Sequence, residues 1–155
     1  ISVLNDAVGG ITVTLEDDFS ALDPAMTAGT TLTLVGDQAE YYVRSRMNIG
    51  IGTNEARMVR QEEYLSALGE KLGARIEEDQ AFIEALYEAL DPYLTTDMSR
   101  GRMINEVWAS REYASETVLE LAGEHEVGAD GFMQFYVEEG SIEQAVLQLF
   151  YEKVE

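Results

Sequence analysis

Ile11, Val13 and Leu15 alternate with Thr12 and Thr14, the period-two pattern of a half-buried strand. Ahead of it, residues 1–8 read as the back of a helix, stopped by Gly9-Gly10 because glycine readily takes the left-handed cap conformation. Residues 31–35 repeat the strand pattern and Gly36 stops them. The acidic stretch 16–26, which contains Pro24, predicts a loop. Asp37 and Glu40 have the spacing of a capping box and predict a short helix through about Val43. Residues 46–53, with Gly50 and Gly52, predict a small flexible loop. Asn54 is placed to cap a long helix whose apolar stripe is Met58, Leu65, Leu68, Leu72 and Ile76. A further helix is expected over 79–90, with Phe82, Ile83, Leu86 and Leu90 inward and Pro92 ending it. Another starts at Thr96 or Asp97 and turns Met103, Ile104, Val107 and Trp108 to its buried side. Residues 117–121 and 132–137 read as strands. Ser141 with Gln144 gives a second capping box before Ile142, Ala145, Val146, Leu149 and Phe150 at helical spacing.

Helices and strands alternate, so the class is α/β or α+β. With 155 residues, 46% of them hydrophobic, the chain is long enough for one packed core. No repeat, low-complexity tract or linker interrupts it, so residues 1–155 are read as a single domain. The opening in mid-helix, without an initiator methionine, is read as that of a portion of a longer protein. No run approaches the roughly 18 apolar residues of a membrane helix, and no signal peptide opens the chain.

Charge narrows the function. Thirty acidic residues against ten basic give a formal net charge of −20. Nucleic-acid binding through a general basic surface is excluded, because that mode needs many Lys and Arg to displace phosphate counterions. Cysteine is absent, which removes disulfides, thiolate metal sites and a cysteine nucleophile. The single histidine, His125, sits in Gly123-Glu124-His125-Glu126 and reads as an exposed polar turn. Ala129-Asp130-Gly131 reads as a turn, without the regularly spaced oxygen ligands of a calcium loop. Trp108 and the tyrosines are read as ordinary core.

Four of the ten basic residues, Arg44, Arg46, Arg57 and Arg60, fall within one short stretch. Arg57, Arg60 and Gln61 lie at i, i+3 and i+4 and share a helix face. If the two helices pack together, guanidinium groups and the amides of Asn54 and Gln61 form a pocket suited to a diphosphate, since guanidinium forks match phosphate oxygens in pairs. The competing reading is a solvated face on which these arginines pair with Glu55, Glu62 and Glu63.

At these residues the sequence resembles the LytR-CpsA-Psr (LCP) family. Gly9-Gly10-Ile11-Thr12-Val13 is similar to the family's Gly-Gly-apolar-x-Val lead into a strand. Gly36-Asp37-Gln38-Ala39-Glu40-Tyr41-Tyr42-Val43-Arg44-Ser45-Arg46 resembles its Gly-x-Gln-Ala-x-x-Tyr-Val-Arg-x-Arg segment. Asn54-Glu55-Ala56-Arg57-Met58-Val59-Arg60-Gln61 resembles its Asp-x-x-Arg-x-x-Arg-Gln helix start. Thr95-Thr96-Asp97-Met98-Ser99 and the late Gly131-Phe132 strand are similar to its C-terminal part, so the likeness spans almost the whole chain.

The resemblance implies an α/β/α sandwich, here incomplete, with a mixed sheet and several packed helices. It implies a domain on the extracellular face of the bacterial membrane, in the cell wall, held by an N-terminal anchor that lies outside this chain. The implied activity is transfer of anionic glycopolymers, teichoic acid or capsular polysaccharide, from a polyprenyl-diphosphate carrier to peptidoglycan, with Mg²⁺. A peptidoglycan hydroxyl would attack the phosphorus attached to the polymer, and polyprenyl phosphate would leave. By position Arg44, Arg46 and Arg57 match diphosphate-binding residues that would neutralise developing charge. Gln61 would orient a phosphate oxygen, and Asn54 and Arg60 would complete the substrate site. The family's acidic residue is Asn54 here, an amide that can neither act as a base nor ligate Mg²⁺ as strongly. The family's N-terminal half, with the base and metal ligands, has no counterpart in this chain, so the portion alone is expected to be inactive and to associate through uncovered faces. Two alternatives stand beside the transferase: a non-catalytic polyprenyl-diphosphate or anion-binding module, and a cell-envelope regulator of the transcriptional-attenuator type. The −20 charge opposes an anionic polymer, but charges beyond about 8 Å are largely screened at physiological salt.

Overall fold

The computed structural model describes residues 1–50, 52–111, 119–131 and 133–151. The class is α/β, with helices and small sheets. Contacts divide the chain into two compact units, Ile1–Tyr113 and Ala114–Glu155, where the sequence showed no boundary.

The first unit holds helix α1 (Ser2–Ala7), strands β1 (Thr12–Thr14) and β2 (Thr31–Thr33), and helices α2 (Asp37–Arg44), α3 (Asn54–Glu78), α4 (Ala81–Leu90) and α5 (Arg100–Ser110). A single 3₁₀ turn, Asp91–Tyr93, follows α4 at Pro92. β1 and β2 pair antiparallel, with Val13 opposite Leu32. The outward threonines bond across the pair, Thr12 to Thr33 and Thr14 to Thr31, each at 2.8 Å. The inward Ile11, Val13 and Leu15 are buried as the alternation predicts. They meet Phe19, Met26, Leu34, Tyr42 and Tyr64 in the core.

Gly9 and Gly10 end α1 with positive φ. Gly10 has a second reason to be glycine, since a Cβ there would stand 2.5 Å from the Leu34 carbonyl oxygen. Asn5 is fully buried. Its Nδ2 donates to the Leu34 carbonyl at 2.8 Å, and its Oδ1 accepts from the Ile11 N–H at 3.1 Å and the Tyr64 hydroxyl at 3.2 Å.

Helix starts differ from the sequence expectation. Thr53, not Asn54, caps α3 by accepting from the Ala56 N–H at 3.2 Å. Gly36 precedes α2 without a side-chain cap, and Asp6 Oδ1 accepts from the Gly36 N–H at 2.8 Å instead. Ser99 caps α5, three residues beyond Thr96. The buried row of α3 is Arg60, Tyr64, Leu68 and Ile76, with the partly buried Leu72 completing the i, i+4 spacing. Met58 and Leu65, expected inside, lie off that row and are 55% and 60% exposed. On α5, Met103, Ile104, Val107 and Trp108 are half-buried on one side as expected.

The second unit contains strands β3 (Gly123–Val127) and β4 (Met133–Val137) and helix α6 (Ser141–Phe150). The strands form an antiparallel hairpin. Both sheets among the described residues are thus antiparallel pairs, not the mixed sheet expected. His125 lies within a strand, not in a turn. It is paired with Phe135 at 4.8 Å between ring centroids, and this cross-strand partner explains a strand that its own glutamates obscure. Residues 119–121 are not strand, and 117–118 lie outside the described residues. Phe132, at the head of the other expected strand, also lies outside them. Gly140 precedes α6, and Ser141 Oγ accepts from the Ala122 N–H at 2.8 Å, so no capping box forms. No helix among the described residues is long and apolar enough to cross a membrane.

Candidate functional site

The end of α2 and the start of α3 pack side by side. An α-helix leaves its last carbonyls without intrahelical partners. In α2 the Tyr41 carbonyl accepts from the Ser45 N–H at 3.0 Å. The Tyr42 carbonyl accepts from Arg60 Nε at 3.0 Å, and the Val43 carbonyl from Gln61 Nε2 at 2.9 Å. Side chains of α3 therefore complete the end of α2 and fix where Arg44, Ser45 and Arg46 emerge.

These residues line a surface hollow of about 400 Å³ with Leu22, Met47 and Arg57. Three of the four clustered arginines converge there, and the lining contains no carboxylate. Arg44 pairs with Glu40 one turn back, not with Glu55, Glu62 or Glu63. The Arg44 side chain is 73% exposed, and an exposed i,i+4 pair contributes only about 0.3–0.5 kcal/mol, so the pairing does not commit it. The Arg46 side chain is exposed and makes no hydrogen bond or ion pair among the described residues. Arg57 donates through Nη2 to Asn54 Oδ1, while its Nε is buried and without a partner among the described residues. Three guanidiniums around one hollow give it a local positive charge on an acidic chain.

Three expected ligand residues have their hydrogen bonds within the protein. Arg60 lies in the core, 8% exposed, with its donors on Tyr42, Ser45 and Asp17. Gln61 Nε2 donates to the Val43 carbonyl, and Asn54 Oδ1 accepts from Arg57. The loop after Arg46 is anchored at Ile49. Ile49 is 2% exposed, and its N–H donates to the Arg46 carbonyl at 3.3 Å.

Sequence reasoning missed Asp17, Leu22, Ser45 and Met47. Leu22 and Met47, 44% and 81% exposed, give the hollow an apolar rim. The available signal was an isolated Leu in an acidic loop and a Met directly after Arg46. A second hollow, lined by Ile11, Thr12, Ala67, Glu70 and Lys71, offers no comparable charge. Glu70 balances Lys71, whose Nζ donates to the Gly9 and Gly10 carbonyls. Among the described residues no three His, Asp or Glu side chains are grouped to hold a metal ion. With arginines as its only charged lining, the hollow does not fit Mg²⁺, a cation that takes oxygen ligands.

Residues 2–150 match the model of the LytR_cpsA_psr family. The chain belongs to the LytR-CpsA-Psr family. No curated protein matches it significantly. Among solved structures it is similar to a protein from Streptococcus agalactiae, at 22% identity and a TM-score of 0.72, over 99% of this chain and 55% of that one. It is similar to a protein described as a transcriptional regulator from Enterococcus faecalis, at 20% identity and 0.67, over 99% and 57%. A protein from Listeria innocua aligns at 24% identity and 0.56, over 95% and 60%. The fold is thus that of LCP-family structures, of which this chain spans 55–60% of the length.

Proposed function

We propose that this chain supplies the diphosphate-binding part of a cell-envelope glycopolymer transferase. Its substrate would be a polyprenyl-diphosphate-linked polymer and its acceptor peptidoglycan, on the outer side of the bacterial membrane. Family membership supports the link to envelope glycopolymers. The observation that carries the diphosphate reading is the convergence of Arg44, Arg46 and Arg57 on one hollow with an apolar rim. In phosphoryl transfer the protein contributes mainly alignment and charge stabilisation. Arg44 and Arg46 would hold the oxygens of the diphosphate, and the Arg57 guanidinium, held by Asn54, would add its positive charge beside them. The Leu22 and Met47 rim suits the first carbons of the lipid. Mg²⁺ belongs to the reading of the whole protein, and no step here runs through it.

A second reading, a binding module without turnover, draws on Asn54. Its amide stands where the family carries an acid, and it is engaged by Arg57. Calorimetric titration with geranyl diphosphate tests the shared part of both readings. Arg44→Ala and Arg57→Ala should each weaken binding about tenfold or more, the worth of one or two charge-assisted hydrogen bonds. Wild-type affinity in both variants sinks the site. Transfer from a lipid-diphosphate donor, measured with the intact parent, then separates transferase from module.

A further inference from the structure

Arg60 is the buried member of the arginine cluster, and its surroundings give it a task other than touching a ligand. Its side chain is 9% exposed. Nε donates to the Tyr42 carbonyl at 3.0 Å, Nη2 to the Ser45 carbonyl, and Nη1 to Asp17 Oδ2 at 3.1 Å. Its guanidinium carbon lies 5.3 Å from the centre of the Phe19 ring. The segment that brings Leu22, the chain that carries Arg44 and Arg46, and the helix that carries Arg57 are thus joined at one side chain. Asp17 reaches further. A Cβ on Gly50 would stand 1.9 Å from Asp17 Oδ1, so this carboxylate also packs against the loop after Arg46.

We propose that Asp17 and Arg60 form an ion-paired clamp that sets the spacing of the hollow's walls, so that Arg44, Arg46 and Arg57 engage both phosphates of a diphosphate at once. The proposal rests on the diphosphate reading above and assigns positioning residues to it. Only a guanidinium offers donors in a fixed fork that meets two carbonyls and a carboxylate together. A buried cation without its counter-ion is strongly unfavourable, so Asp17 keeps Arg60 in place and cancels its charge. The field in the hollow is then that of Arg44, Arg46 and Arg57.

Asp17→Asn decides between roles because the two predict opposite signs. If Arg60 were itself a ligand-binding cation restrained by Asp17, removing the carboxylate charge would strengthen diphosphate binding. For a clamp, Asp17→Asn weakens it. Calorimetry on the full chain, well below thermal unfolding, would compare geranyl diphosphate with geranyl monophosphate for wild type, Asp17→Asn and Arg60→Lys. The diphosphate affinity should fall about tenfold in both variants, the equivalent of one charge-assisted hydrogen bond. The monophosphate, which needs no set spacing, should change by less than about twofold, within the range of a surface charge change. Amide exchange reads the clamp without ligand. The N–H groups of Ser45, Ile49 and Gly52 should exchange faster in both variants, with that of Gly10 unchanged as the control. Tighter diphosphate binding in Asp17→Asn, equal losses for both ligands, or unchanged exchange at Ser45 and Ile49 overturns the clamp. If the wild type binds neither ligand, the diphosphate reading falls, and the exchange data alone decide whether Asp17 and Arg60 hold the walls.

Discussion

The side-chain amide of Gln61, on α3, donates to the carbonyl of Val43, on α2, at 2.9 Å. This bond supplies an acceptor on α2 with a partner that its own helix cannot provide. Gln61→Ala leaves a part-buried carbonyl unmet and should cost about 1 kcal/mol of stability, read from the urea midpoint. Gln61→Glu should cost at least as much, because an ionised carboxylate cannot donate. A variant as stable as wild type would mean that water replaces the amide fully.

Gly50 and Gly9 separate two reasons for glycine. Both have positive φ, +50° and +82°. At Gly9 a Cβ would meet nothing within 4 Å, whereas at Gly50 it would overlap the Asp17 carboxylate. Gly9→Ala should cost about 1 kcal/mol from backbone strain alone. Gly50→Ala should cost more and also weaken geranyl diphosphate binding, since Asp17 must move. Equal stability losses, with binding intact in both, would show that the carboxylate swings aside freely.

How much was legible follows from where the determinants lie. β1 was readable because its alternation is carried by consecutive residues. The arginines at the hollow were readable because Arg44, Arg46 and Arg57 are close in sequence. The inward row of α3 was not. Arg60 and Tyr64 are buried because polar partners 18 or more positions away, the Tyr42 carbonyl, Asp17 and Asn5, satisfy them. An apolar count along the helix points instead to Met58 and Leu65. The same limit hid β3, whose glutamates obscure a strand that Phe135 and its neighbours complete from across the hairpin. It also hid Leu22 at the rim of the hollow.

Asn5 tests how much one buried polar side chain holds. It joins α1 to the start of β1, to Leu34 and to α3 through three hydrogen bonds. Asn5→Leu is close in volume but leaves the Ile11 N–H, the Leu34 carbonyl and the Tyr64 hydroxyl without their partner. The loss should be about 2–4 kcal/mol, measured by urea unfolding. A loss below about 1 kcal/mol would place the net value of this network near that of a single exposed hydrogen bond.

Alkaline pH reports on two buried phenols. Burial, together with the Glu63 carboxylate that accepts its hydrogen bond at 2.6 Å, raises the Tyr42 hydroxyl well above its ordinary value. Burial and the nearby Asp6 push Tyr64 up to about 12. In the unfolded chain both ionise near pH 10. The folded state therefore binds these protons more tightly. Their contribution is complete below pH 10 and is lost as the pH rises from there toward the folded values. Each tyrosine should add a slope of about 1.4 kcal/mol per pH unit in that window. Urea midpoints of the wild type should fall steeply above pH 10, and those of Tyr42→Phe and Tyr64→Phe less steeply, though both variants start lower for want of a hydrogen bond. Parallel slopes in all three proteins would show that these hydroxyls ionise in the folded state as readily as in the unfolded one.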